Sequence, residues 1–319
     1  MAVTRIGLQV PSFTFAGVAD GDLFEHLAAI AVAAEESGFD SLWVMDHYYQ
    51  IPGVGPRTNA MLESYTTLGG LAARTHKVSL GALVTGVTYR NPALLAKIVT
   101  TLDVISGGRA ILGIGAAWND DEHAGYGFSF PPAAERLARL GEALEICRAM
   151  LTEPAPSFAG RYYTIDHALN YPRPVRPGGI PILVGGGGER RTLALVARYA
   201  DACNLFGDTA TIRHKLAVLA RHCEKIGRDP AEITKTRLGG LVVAETATEA
   251  EHQGRAMAAA RQMDEERFRS YVVCGDPDAV CEQVAAYLDA GLDGMIFNLG
   301  DANPDTVRLA GATLARAFG

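Results

Sequence analysis

Nothing in this 319-residue chain approaches the roughly 18 uninterrupted apolar residues that mark a membrane helix. The opening MAVTRIGLQVPSF also lacks the charged region, long apolar stretch and small-residue cleavage site of a secretory leader. Lys/Arg blocks are missing as well, and the formal net charge is -7, so no nucleic-acid-binding surface is expected. The five cysteines, Cys147, Cys203, Cys223, Cys274 and Cys281, form no CxxC pair, and reduced thiols in a cytoplasmic protein account for them. No HExxH occurs. Asp120, Asp121, Glu122 and His123 occupy successive positions that cannot all aim at one ion from a helix, so no metal site is expected. A Gly-x-Ser-x-Gly elbow is absent, which removes support for serine acyl transfer.

What is present is alternation. With 48% hydrophobic residues, the chain is able to bury a full core. Short apolar, β-branched runs recur at RIGLQV, SLWVM, KVSLGALV, RAILGIG, IPILVG, DACNLF, TRLGGLVVAE and DGMIFNL. Amphipathic segments of helical period lie between them. Gly38, Gly107-Gly108, Gly227 and Gly291 close such segments, and Asn91-Pro92 and Asp276-Pro277 open others. This order predicts one (β/α)8 TIM-barrel domain over residues 1–319 with insertions after strands 2, 4 and 7, at residues 47–62, 152–179 and 246–275. Long Pro/Gly/aromatic segments of this kind are expected to form lids and walls. A doubly wound open sheet permits the same alternation but needs a phosphate fingerprint, and PSFTFAGVADGD after the first strand has no GxGxxG. The glycine turns at Gly113–Trp118 and Gly185–Arg191 miss the third glycine, and neither continues into the Lys-Ser/Thr of a P-loop.

In a barrel the chemistry sits just past the strand C-termini. There the sequence places Asp46-His47, Thr85-Gly86, Ala117-Trp118-Asn119, Gly185 to Arg191, and Asn298. His47 either hydrogen-bonds or exchanges a proton with a bound ring, or is satisfied inside its own loop. Trp118 either stacks on a planar ligand or packs the rim. Glycines 185–188 are either turn residues or a bare-backbone phosphate cradle at a helix start, with Arg190 or Arg191 adding charge.

These residues resemble the bacterial luciferase-like monooxygenase superfamily, in particular its coenzyme F420-dependent oxidoreductases. The resemblance is carried by GFDSLWVMDHYYQIPG, VSLGALVTGVTYRNPALLAKIVTTLDVISGGRAILGIGAAWNDDEH, PILVGGGGERRTLALVARYADACN and GDPDAVCEQVAAYLDAGLDGMIF. It implies a deazaflavin held at the strand C-termini, with Asp46 and His47 beside the ring as the catalytic pair. It implies a non-proline cis peptide at Leu83-Val84, followed by Thr85, backing that ring. Ala117, Trp118 and Asn119 are implied as a cofactor-contacting turn, and Gly185, Gly186, Gly187 and Gly188, with Arg190, as the phosphate-binding turn. Relatives that oxidise a sugar phosphate carry a glutamate in the fourth-strand turn, and Trp118 departs from that pattern. The resemblance further implies hydride transfer to or from a small organic substrate, and a homodimer contacting through helices 63–75 and 91–106. FMN-dependent oxygen activation, and a flavin-binding barrel without turnover, are the alternatives.

Overall fold

The computed structural model describes residues 3–300 and 302–318, so the extreme ends of the 1–319 span lie outside the described residues. Eight parallel strands form the barrel: β1 (Ile6–Val10), β2 (Ser41–Val44), β3 (Ser79–Ala82), β4 (Ala110–Gly115), β5 (Ile182–Gly185), β6 (Ala202–Leu205), β7 (Thr234–Val243) and β8 (Gly294–Leu299). Closure comes from β7, which pairs with β6 through Thr234 opposite Ala202 and with β8 through Thr236 opposite Gly294. In turn β8 pairs with β1 through Ile6 opposite Met295. Each of the eight apolar runs therefore lies on a barrel strand.

Two apolar layers result. Helices α1 (Leu23–Glu36), α2 (Ser64–Ala72) and α3 (Pro92–Ser106) begin the outer ring. It continues through α4 (Asp120–Tyr126), α5 (Ala133–Thr152), α6 (Thr192–Tyr199), α7 (Thr209–Ile226), α8 (Ala247–Ala260), α9 (Glu265–Tyr271), α10 (Pro277–Asp289) and α11 (Pro304–Phe318). Their apolar faces pack on the outward side chains of the strands in one large cluster. Inside the barrel, Trp43, Leu83, Ile111, Leu183, Ala202, Leu238 and Ile296 form a second cluster. The Trp43 indole is fully buried and donates to Ser41 Oγ at 2.9 Å. Gly81 on the next strand leaves it room, since a Cβ there would lie 2.7 Å from the indole Cζ3. The interior is thus a packed core and not a channel, and the ligand space is pushed to the rim.

Local signals act where the sequence has them. Asn91 caps α3 by accepting from Ala93 N–H at 2.9 Å, with Pro92 in the first turn and Gly107 in the left-handed conformation (φ 67°) closing it. Asp276 and Pro277 open α10 in the same way.

Three segments differ from expectation. Residues 246–275 fold into α8, α9 and a further parallel strand, Val272–Gly275, on the flank of β7. Residues 152–179 are neither lid nor wall, because they connect a helix end to a strand start and so leave the mouth. Their hairpin, Phe158–Ala159 with Thr164–Ile165, is strapped to α5 by Glu142, which accepts from the N–H groups of Arg161, Tyr162 and Tyr163. Beyond it, Asp103 of α3 accepts from Val175 and Arg176. The segment after β4 that does face the mouth is 116–132, containing α4. The closing helix α11, absent from the sequence reading, buries Val307, Ala310 and Leu314 at helical spacing.

Candidate active site

At the strand C-termini lies a cavity of about 550 Å³, within the range of small-molecule sites. Its floor and near wall include Gln9 of β1, Met45 and His47 after β2, Leu83 after β3 and Trp118 after β4. Ile51 to Val54 of the 47–62 loop close one side, and Met263, Arg267 and Tyr271 of the last insertion close the other. A second cavity of about 570 Å³ adjoins it. Pro11, Val54 and Arg261 line both.

His47 is the titratable group of the near wall. Its Nδ1 lies 2.6 Å from Glu122 Oε1, and that carboxylate is fully buried while the imidazole keeps 15% side-chain exposure. Glu122 also accepts from Tyr89 OH at 2.5 Å and from Tyr48 N–H at 2.7 Å. Burial works to raise its pKa, but these three hydrogen bonds outweigh it and hold the carboxyl below its ordinary value of 4.5. Ionised Glu122 can only accept, so Nδ1 of His47 carries hydrogen and Nε2 is left without a partner among the described residues. Trp118 stands edge-on to the imidazole with ring centroids 5.6 Å apart and is 57% exposed. Burial beside Asp46 and Glu122 pushes Tyr48 up to about 12 and Tyr89 further, so both phenols stay neutral and Tyr89 keeps the proton it donates to Glu122.

Asp46 occupies a different environment. Arg90 grips it with Nη1 at 2.8 Å from Oδ2 and Nη2 at 3.0 Å from Oδ1. Ser64 Oγ donates to Oδ1 at 2.6 Å, and Gly86 N–H donates to Oδ2 at 3.1 Å. Arg90 also reaches Glu63 at 2.6 Å. With both oxygens committed and 3% exposure, Asp46 orients the β2 and β3 ends and offers no lone pair to a ligand.

The cis peptide lies at Leu83-Val84. Here the glycines serve packing: a Cβ on Gly115 would lie 2.8 Å from Val84 Cγ2, and one on Gly185 would lie 2.9 Å from both Val84 methyls. Gly185 therefore makes room for the Val84 side chain. Thr85 is fully buried and its hydroxyl bonds Tyr65 OH at 2.7 Å. Ala117 takes the left-handed conformation at φ 59°. Asn119 is buried, its carbonyl accepting from His123 Nδ1 at 2.6 Å.

Gly186 turns the chain at φ 119° while donating to Asn204 O at 3.1 Å. The N–H groups of Gly187, Gly188 and Arg190 find no acceptor among the described residues. Nothing lies closer than 3.7 Å to where a Gly187 Cβ would stand. Bare donors before α6, with the exposed Arg190 side chain beside them, suit an anionic oxygen group. Glu189 lies in the same turn, and its charge is matched by Lys215 at 2.6 Å. The predicted residues thus fall in two places: His47, Leu83 and Trp118 on the cavity, and Gly187 to Arg190 on the rim after β5.

Sequence reasoning missed Glu122, Arg90 and Arg261. Their partners lie 75 and 44 positions away for Glu122 with His47 and Arg90 with Asp46, and no local pattern announces them. Gln9 had a legible signal, being a lone amide within an apolar strand.

The family model described as Luciferase-like monooxygenase matches residues 4–294. The F420-dependent glucose-6-phosphate dehydrogenase of Kineococcus radiotolerans is 31% identical over 296 residues, covering 85% of this chain and 86% of that protein. Its namesake from Nocardia farcinica is 32% identical over 303 residues, covering 86% and 87%. Among solved structures, coenzyme F420 dependent tetrahydromethanopterin reductase from Methanopyrus kandleri superposes with a TM-score of 0.81 at 20% identity, covering 99% of both chains. An F420-dependent secondary alcohol dehydrogenase gives 0.82 at 19% identity, also covering 99% of both.

Proposed function

This chain belongs to the luciferase-like monooxygenase family, and we propose that within it the protein is a coenzyme F420-dependent oxidoreductase acting on a small organic substrate. The site assignment is supported by His47 and Leu83 lining one rim cavity, with Glu122 held on His47 Nδ1. Relatives named as F420-dependent dehydrogenases, aligned over most of the chain, favour the deazaflavin over FMN.

The residues present fit such a group. Leu83 and Trp118 would bound its ring, and the unpaired N–H groups of Gly187 and Gly188, with Arg190, would hold its phosphate. When bound, the deazaflavin supplies a carbon that accepts or donates hydride, and protein groups supply orientation and charge. For an alcohol substrate, His47 Nε2 takes the hydroxyl proton as hydride leaves the carbinol carbon, giving a carbonyl product; in reverse it returns that proton. Glu122 fixes the tautomer and stabilises the imidazolium that forms. Asp46, already saturated, positions the two strand ends. The loop at Ile51–Val54 and the insertion at Met263–Tyr271 restrict water at the reacting centre.

Replacing His47 by Ala is expected to slow turnover about 10²-fold or more while deazaflavin binding persists. An unchanged rate with the cofactor still bound would remove the acid/base role. The free thiols, three of them buried, suit a reducing cytoplasm. A homodimer through α2 and α3 is supported by Leu94 and Ile105 of α3, which are 54% and 53% exposed. Sedimentation of a Leu94→Glu variant, expected to be monomeric, tests it.

A further inference from the structure

Opposite His47 the mouth is lined by guanidinium groups without carboxylates. Arg261 lines both cavities and is 8% exposed; its guanidinium donates from Nη1 to Asn298 Oδ1 at 3.2 Å and lies beside the Tyr271 phenol, a neutral group. Among the described residues no aspartate or glutamate lines either cavity, and none forms an ion pair with Arg261 or Arg267. A guanidinium held out of water without a counter-ion is costly unless a ligand supplies one.

The surroundings hold this side chain in place. Arg261 is the C-cap of α8, where Gln262 is left-handed at φ 51°. Met263 N–H returns to Ala258 O at 2.9 Å and Gln262 N–H to Ala259 O at 3.2 Å, the paired closure that ends a helix abruptly. Asn298 is itself fixed, donating to Gln9 Oε1 at 3.1 Å, while Gln9 Nε2 donates to the Leu83 carbonyl at 3.1 Å. One chain of hydrogen bonds therefore runs from the bulge to the guanidinium. Beyond Asn298 and the Tyr271 phenol the guanidinium forms no ion pair among the described residues, and Arg267 lines the same cavity from α9.

We infer that Arg261 is the anchor for an oxyanion on the substrate, a carboxylate or a phosphate ester, gripped by its fork on the side of the cavity away from His47. The word substrate rests on the oxidoreductase reading; the anion site does not. A planar fork matches two oxygens of one anion and a neutral group gives it nothing equivalent. An anchor tied to β8 through Asn298 leaves the reacting carbon free to face the wall after β2.

The test is calorimetric titration of the full chain with butyrate, butyl phosphate and 1-butanol, with and without coenzyme F420. At least one anion is expected to bind about tenfold or more tightly than the alcohol, and which one does distinguishes carboxylate from phosphate. Arg261→Met should bring that preference to within about twofold, while Arg261→Lys retains part of it. Arg255→Gln, at an exposed ion pair with Glu251, should leave it intact. Thermal melts establish that each variant is folded; if Arg261→Met does not fold, Arg261→Lys with weakened butyrate binding carries the test. Equal or undetectable binding of all three probes overturns the anchor. So does a preference that survives Arg261→Met, or a variant that loses coenzyme affinity and keeps the preference. Absence of F420 binding with an intact anion preference strikes the oxidoreductase reading alone.

Discussion

The two sides of the barrel mouth treat charge in opposite ways. On the side of β2 to β4, acids are saturated: Asp46 by Arg90, Ser64 and Gly86 N–H, and Glu122 by His47, Tyr89 and Tyr48 N–H. On the side of β7 and β8, the buried arginines form no ion pair among the described residues: Arg261 leans on the Asn298 amide and the Tyr271 phenol, and Arg237 of β7 donates to the carbonyls of Gly207, Ser270 and Tyr271. Arg237 Nη1 has no partner among the described residues, and the guanidinium stacks on Tyr287 at 4.3 Å. A saturated side is rigid and poised. An unsaturated side is ready for a ligand's charge.

This contrast breaks most visibly at Arg90. Arg90→Met leaves Asp46 buried with an uncompensated charge and should lower stability by about 3–5 kcal/mol, read by urea unfolding at pH 7. A loss below about 1 kcal/mol would show the pair to be solvent-like. Glu122→Gln comes next: with His47 present but its tautomer and imidazolium unsupported, turnover should fall by up to about 10²-fold, no further than in His47→Ala. Its pH dependence carries a sign. Because Glu122 titrates below 4.5 in the folded chain, its contribution to stability is fully present above the unfolded carboxyl range and fades as pH falls through the depressed value. The wild type should therefore keep its stability margin over Glu122→Gln at pH 6 and surrender it only under acid.

Gly185→Ala sharpens the assignment of that glycine to packing. A methyl 2.9 Å from both Val84 methyls should cost about 1–3 kcal/mol in thermal melts and weaken cofactor binding by displacing the bulge. Gly187→Ala, whose Cβ would meet only ordinary contacts with Lys215 and Leu205 at 3.7 Å and beyond, should cost little stability. Smallest is the arginine side: Arg261→Met orphans no opposite charge, so stability should stay within about 1 kcal/mol of wild type. A loss as large as that of Arg90→Met would erase the distinction between the two sides.

What was legible in the sequence follows from range. Strands of period two and runs of apolar residues are local, and all eight were visible. So were Asn91-Pro92 and Gly107, which act within one turn. His47, Trp118 and Leu83 were reachable because a strand's C-terminal end defines the mouth. Glu122, Arg90 and Arg261 were not, since each acquires its meaning from a residue on another strand or loop. Gly185 looked like cradle because a missing side chain records that space is needed, and not which neighbour needs it. The segment 152–179 looked like a lid by composition, but its position between a helix end and a strand start carries it away from the mouth.

The most direct measurement is a side-by-side titration of the purified chain with coenzyme F420 and with FMN, followed by the cofactors' own absorbance and fluorescence. Saturable binding of F420, weakened by Gly185→Ala and preserved in His47→Ala, is the predicted result. Tight binding of FMN with none of the deazaflavin would contradict it.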